Sequence, residues 1–272
     1  MRWLLRRLNI HPNAYYNYLL KTKAEYYDSR EEIFREIKNI YHEYDGVLGH
    51  RAMRVFLARK GIKLSKTTVH KYMNRCLKLK SVCRRKKPSY KKGNPHKIFP
   101  NLLEQNFHAE KPNEIWCTDF TYLSLSNGAQ RFNCTIIDLY DRSVVASVTD
   151  RHITSGLAVA TLEKAIASQR RFPKDLILHS DQGTQYTSLQ FIQYCQEHGI
   201  TQSMSRAGCP YDNAPMERYY NSLKDELIDR YYFRTEADLY RAVSEYAYDW
   251  YNQVRPHAYN NYMTPFEVRY GT

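Results

Sequence analysis

The second half of this chain is built on a pattern that few folds accommodate: three strand-like runs in quick succession, then helix and strand in alternation. Residues 115–125, 130–139 and 144–149 are apolar and rich in β-branched side chains. Asn127-Gly128, between the first two runs, is the dipeptide that tight hairpin turns favour. Helical spacing takes over at 155–169, with Leu157, Val159, Ala160, Leu162 and Ile166 apolar. A short apolar strand follows at 175–179. Ser188 then caps a helix with Leu189, Ile192, Tyr194 and Cys195, and 200–204 forms a fifth strand. A helix starts near Asp212 or Asn213. The last helix carries Leu239, Ala242, Val243, Tyr246, Ala247 and Trp250 on one face. Hairpin-joined strands followed by alternating elements predict an α/β fold, a mixed sheet flanked by helices, with the strand order left open.

The first half has a different character. Residues 1–98 contain 25 Lys and Arg against 7 Asp and Glu, whereas the rest of the chain has 16 against 21. One-signed charge of this kind suits a phosphate backbone, and a mildly acidic remainder suits metal. Residues 1–28 read as a short helical segment that Pro12 and Asn13 open, with Tyr15, Tyr16, Leu19 and Leu20 along it. Over 29–45, Ser29 and Glu32 form a capping-box pattern ahead of Ile33, Ile37, Ile40 and Tyr44. Residues 51–60 are a second helix, with Met53 and Leu57 inward, and Gly61 ends it. Ser65 caps a third, with Val69, Tyr72, Met73 and Leu77 apolar. Three short helices with tight turns and a basic last helix fit a helix-turn-helix module over 29–86. Its candidate DNA contacts are Arg51, Arg54, Lys66, Lys71 and Arg75, with Arg84 and Arg85 in the basic run beyond it. Residues 87–110, with Lys91, Lys92, Pro88, Gly93, Pro95 and Pro100, read as a basic linker to a domain over 111–272.

Several function classes drop out. The six cysteines include no C-x-x-C pair, which argues against a zinc ribbon. Cys117 and Cys134 lie in strand-like runs and read as small core residues. No apolar run is long enough for a membrane span or a signal peptide, so no membrane partner is expected. His179-Ser180-Asp181 contains triad residue types, but neighbours in sequence do not make triad geometry. The 25 tyrosines lie mostly at core spacing, leaving a few to stack on bases.

Three acids stand out by their settings: Asp119 in W-C-T-D-F-T-Y, Asp181 in H-S-D-Q-G-T-Q-Y and Glu217 in Y-D-N-A-P-M-E. An unpaired Asp in an apolar strand is costly, so Asp119 calls for a reason. Three carboxylates brought together by a fold hold magnesium, which takes oxygen ligands and keeps several waters. Two such ions about 3.5–4 Å apart clamp the attacking and leaving oxygens of a phosphodiester. Lys224 lies seven residues after Glu217, two helical turns on and nearly the same face, where a cation would meet a phosphate.

These motifs resemble a known family. F-P-N-L-L-E-Q-N-F, K-P-N-E-I-W-C-T-D-F-T-Y, H-S-D-Q-G-T-Q-Y, Y-D-N-A-P-M-E-R-Y-Y-N-S-L-K-D-E, W-Y-N-Q-V-R-P-H and M-T-P-F-E, in that order, are similar to the motifs of bacterial insertion-sequence transposases with a retroviral-integrase-like core. The group is the one made by frameshifting between two overlapping reading frames, and this chain resembles its second-frame product. The resemblance covers about residues 29–270. It implies a ribonuclease-H-like fold and a DDE site of Asp119, Asp181 and Glu217 holding two Mg2+ or Mn2+ ions, with Lys224 on the basic position that follows the Glu. It further implies cleavage at transposon ends and strand transfer by the freed 3′-hydroxyl. The implied partners are double-stranded DNA (ends and target), an upstream-frame product or fusion, and further copies of the chain on DNA. The implied setting is the bacterial cytoplasm, at the nucleoid. Two other readings compete: a non-catalytic DNA-binding regulator descended from a transposase, and a general metal nuclease. Joining of specific DNA ends separates the first reading from both.

Overall fold

The computed structural model describes residues 1–20, 22–81, 97–170 and 175–271. The chain divides into two compact units, Met1–Val82 and Cys83–Thr272. Arg84, Arg85, Lys91 and Lys92 of the expected DNA contacts and linker lie outside the described residues.

In the first unit, α1 (Arg2–Arg7) and α2 (Pro12–Leu19) precede the long α3 (Thr22–Glu43). The α3 helix begins seven residues before the Ser29 cap read from sequence. Thr22 to Asp28 contains no helix breaker, so the helix runs through Ser29, and a serine in mid-helix costs only a few tenths of a kcal/mol. Asp45 and Gly46, both at positive φ, reverse the chain after α3. A Cβ at Gly46 would stand 2.6 Å from the Tyr41 hydroxyl oxygen, so only glycine fits that turn. α4 (His50–Arg59) and α5 (Lys66–His70) follow, the latter prolonged by a π-helical turn, Lys71–Cys76. Ser65 caps α5 as expected, its Oγ accepting from the Thr68 N–H at 3.1 Å. Phe34, Ile37, Ile40, Met53, Leu57, Val69 and Met73 form the buried core of this unit, and Tyr72 packs edge-on to Phe34 with ring centroids 5.0 Å apart.

The second unit holds a five-stranded sheet: β1 (Ile115–Ser124), β2 (Gln130–Asp138), β3 (Val144–Asp150), β4 (Ile177–Ser180) and β5 (Thr201–Met204). The order is β3-β2-β1-β4-β5, antiparallel on one side of β1 and parallel on the other. β1 is therefore central. α6 (Ser155–Ala167) and α7 (Leu189–Glu197) cover one face, where Trp116, Ile136, Ala146, Leu162 and Phe191 are buried together. The other face packs Cys117, Leu123 and Ile137 against α8 (Ala214–Leu223) and α9 (Glu236–Glu245). Both helices run on into π-helical turns, Lys224–Ile228 and Tyr246–Val254. This is the mixed sheet flanked by helices that the pattern predicts, and Cys117 and Cys134 are buried core thiols within it.

Two features differ from the sequence reading. Leu103 and Ala109 are buried in the core with β1 and α8, so the part of the expected linker from 97 onward is folded onto the sheet rather than extended in solvent. A last helix, α10 (Pro265–Tyr270), opens with a capping box between Thr264 and Glu267. Its Arg269 forks onto Asp138 and Asp141, both fully buried at the β2–β3 turn.

Candidate active site

Side chains alternate along a strand, so the residues that share a face with Cys117 and Leu123 point toward α8, and Asp119 is one of them. Asp119 is half-buried opposite Thr135 of β2. Its Oδ1 accepts from the Phe120 N–H at 2.7 Å. The Tyr220 hydroxyl, reaching from α8, donates to its main-chain carbonyl and so pins the helix to the strand. Asp181 follows β4 by one residue, and its Oδ1 accepts from the Gly183 N–H at 2.9 Å. Glu217 lies exposed in the first turn of α8, where a negative charge meets the positive end of the helix dipole. Lys224 is half-buried where α8 widens into its π-helical turn.

The electrostatics tie these four residues together. Burial raises the Asp119 carboxyl well above the usual range for an aspartate, and the charge of Asp181 raises it further. The Phe120 hydrogen bond and the charge of Lys224 oppose that rise, while Glu217 adds to it. Burial also raises Asp181, with the Gly183 hydrogen bond opposing. The expected acids thus share one electrostatic neighbourhood, with Lys224 as a cation within it. Among the described residues no three acidic, His or Cys side chains stand close enough to make a ready-made metal cage. Magnesium needs only one or two carboxylates beside water and phosphate oxygen. The donor set fits that ion. So does Asn213: its Nδ2 donates to the carbonyl of Thr118, next to Asp119, while its buried Oδ1 has no protein donor and suits the water of a hydrated cation.

The supports of the site were not singled out from sequence. His179, fully buried in β4, spends both ring nitrogens on Ser203, Ser205 and the carbonyl of Asp212. This rules out a His-Ser-Asp triad, and burial lowers the imidazole's pKa. Asp212, buried just ahead of α8, accepts from the Arg206 guanidinium and main chain, Gln105 and Asn101; Arg206 first and then Gln105 hold its carboxyl below the usual range. The only sequence signal for either residue is its place in the polar runs around Asp181 and Glu217.

The other expected DNA contacts belong to the first unit. Arg51, Lys66, Lys71 and Arg75 are exposed and Arg54 is half-buried. No acidic residue occurs between Asp45 and Glu104, so the stretch of sequence that carries these five residues is one-signed. No described helix is long and apolar enough to cross a membrane.

The family of the integrase core domain matches residues 109–210 and, through a second model, 198–265; an HTH-like domain matches 28–87. The chain is 32% identical over 266 residues to the transposase InsK of insertion sequence element IS150 from Escherichia coli, covering 98% of this chain and 92% of that one. It is 32% identical over 236 residues to the transposase of element IS904 from Lactococcus lactis, covering 87% and 92%. Among solved structures, the HTLV-2 integrase catalytic core in complex with magnesium aligns with a TM-score of 0.46 at 20% identity, over 59% of this chain and 99% of that one. Relatives this similar over nearly the whole length, with integrase-core matches spanning the sheet, make the chain a member of the insertion-sequence transposases with an integrase-type catalytic core.

Proposed function

We propose that Asp119, Asp181 and Glu217 are the catalytic carboxylates of a DDE transposase that cleaves at transposon ends and joins the freed 3′-hydroxyl to a target phosphodiester. The observation that carries this reading is geometric: Tyr220 of α8 donates to the Asp119 carbonyl and Asn213, ahead of α8, to that of Thr118, which sets the helix bearing Glu217 beside Asp119, where burial and the charges of Asp181 and Glu217 push the carboxyl up. A cation relieves that repulsion, and Asp119, Asp181 and Glu217 would hold it, as two Mg2+ or Mn2+ ions in this reading. Bound metal supplies Lewis-acid stabilisation of the oxygens entering and leaving phosphorus. Lys224 meets a phosphate of the bound end and positions it rather than moving a proton. Asp119→Asn or Asp181→Asn should abolish cleavage and joining of end oligonucleotides while DNA binding persists. A variant that still joins ends would refute the assignment. Lys224→Ala should weaken end engagement and lower joining; unchanged joining would refute its role.

Residues 29–86 supply the DNA grip in this reading, with Arg51, Arg54, Lys66, Lys71 and Arg75 on phosphates and Arg84 and Arg85 extending the contact. If about six phosphates are neutralised, log K falls against log salt with a slope near −5. A salt-independent affinity would contradict this. Two ends must be held at once, so the working form has more than one protomer on DNA, aided by the upstream-frame product. Adding that product should raise the yield of paired-end complexes on matched but not scrambled terminal repeats. Equal yields without it would remove it from the account.

A further inference from the structure

We propose that His179 is a positioning residue that sets the helix bearing Glu217 against the turn bearing Asp181. The inference rests on the metal-holding role of those two acids given above.

The ring chemistry is restrictive. The carbonyl of Asp212 only accepts, so the His179 Nε2 that lies 2.9 Å from it carries the hydrogen. In the neutral ring Nδ1 is then an acceptor, and the Ser203 hydroxyl, 2.8 Å away, donates to it. Ser203 is itself oriented, because its Oγ accepts from the Leu102 N–H at 2.9 Å. The Nε2–H is shared with the Ser205 hydroxyl at 3.1 Å.

The two sides of the ring do different work. Ser203 already sits beside His179 through the parallel pairing of β4 with β5, so that side adds little to the architecture. The Asp212 side crosses from the strand that ends just before Asp181 to the turn that opens α8. Asn213, the next residue, caps α8 and is tied to Thr118, beside Asp119. Asp212 cannot drift away, since its fully buried carboxylate is held by Arg206, Asn101 and Gln105. One N–H thus joins the last support of Asp181 to the first support of Glu217, and it touches no reacting atom. Outer supports of this kind affect a metal site through the aim of its ligands.

Two amides divide the ring. His179→Asn retains an acceptor near the Nδ1 position, for Ser203, and cannot reach Asp212. His179→Gln retains a donor near the Nε2 position. Strand transfer by the full chain on pre-cleaved end oligonucleotides is measured against Mg2+ concentration, with thermal unfolding alongside. The Asn variant should need about tenfold more Mg2+ for half-maximal joining while its melting temperature stays near that of the parent. The Gln variant should restore the parent's Mg2+ requirement. An Asn variant with the parent's Mg2+ curve overturns the proposal. So does loss of joining in both variants in proportion to lost thermal stability. A measurement on the unaltered protein covers the case where neither variant folds: 15N shifts of the ring should report the Nε2–H tautomer, and an Nδ1–H tautomer overturns the proposal. Joining by an Asp181→Asn control would mean instead that the three-acid reading had failed.

Discussion

Gly183→Ala separates the aim of Asp181, an acid of the proposed site, from the stability of the fold. A Cβ on Gly183 would stand 2.9 Å from Asp181 Oδ1 and 3.1 Å from Gln185 Oε1, where ordinary contact begins at 3.4 Å. The carboxylate oxygen must therefore retreat by about 0.5 Å, lengthening the bond it accepts from the Gly183 N–H. Gly183 is not among the glycines at positive φ, so alanine meets no backbone strain there. Gly→Ala also lowers the entropy of the unfolded chain, worth roughly 0.4–1 kcal/mol in favour of the fold, which offsets much of the local clash. Function has less tolerance. A misplacement of about 1 Å costs on the order of 100-fold in rate, so half of that is about tenfold, or about 1.4 kcal/mol of barrier. Single-turnover strand transfer at saturating Mg2+ should therefore fall about tenfold, with urea unfolding within about 1 kcal/mol of the parent. A rate within twofold of the parent would refute the idea that the Gly183 amide aims Asp181.

Three other outcomes follow from the same geometry. Asp119→Asn should stabilise the metal-free protein: a carboxyl whose pKa is raised in the fold costs stability as pH climbs from about 4 through that raised value, and asparagine does not titrate. Mg2+ at about 100 times its dissociation constant should add about 2.7 kcal/mol to the parent and much less to this variant; a destabilised variant with a full Mg2+ response would contradict both statements. Arg269→Ala should cost about 3–5 kcal/mol in urea unfolding, because Asp138 and Asp141 are left buried and unpaired, and Arg269→Lys should recover only part since it cannot fork between them; a loss under about 1 kcal/mol would mean that these acids find other partners. His257 is held near pKa 3 by burial and by Arg255, against about 6.5 unfolded, so the unfolded chain binds the extra proton and stability drops as pH falls below about 6.5, by roughly 2–3 kcal/mol at pH 4.5; His257→Gln should flatten that part of the pH–stability curve, and an unchanged slope would place the titration elsewhere.

What could be read from sequence was what local chemistry writes. The Asn127-Gly128 hairpin, the Ser65 and Ser188 caps and the five strands all follow from a few neighbouring residues, and each is present. Local signals also misled. Ser29 and Glu32 mimic a helix start inside α3, because a capping box cannot report that the residues before it are helical too. α10 is too short for periodicity to show, although Thr264, Pro265 and Glu267 spell its cap. The π-helical turn at Lys224 left no trace in the pattern of apolar residues. What could not be read joins distant parts of the chain: the strand order, Arg269 meeting Asp138 from 131 residues away, and His179 reaching Asp212 across 33. The three acids of the proposed site stand out in the sequence by type and setting. Their supports do not, since a buried histidine and a saturated aspartate look in sequence like any other polar residue.

The order of the parts along the chain gives synthesis a timetable. Domains fold as they leave the ribosome, N-terminal first. The basic helical unit ends at Val82, and Asp119, Asp181 and Glu217 then emerge in that order, the third on a helix that begins only at Ala214. On the proposed reading, a growing chain therefore acquires its hold on DNA before it acquires the last ligand for cutting it. On that reading, translation that stops anywhere between those points leaves a product able to hold DNA but not to cut it. Such fragments would then compete with finished protein for DNA, so errors of synthesis would restrain the reaction instead of multiplying cuts.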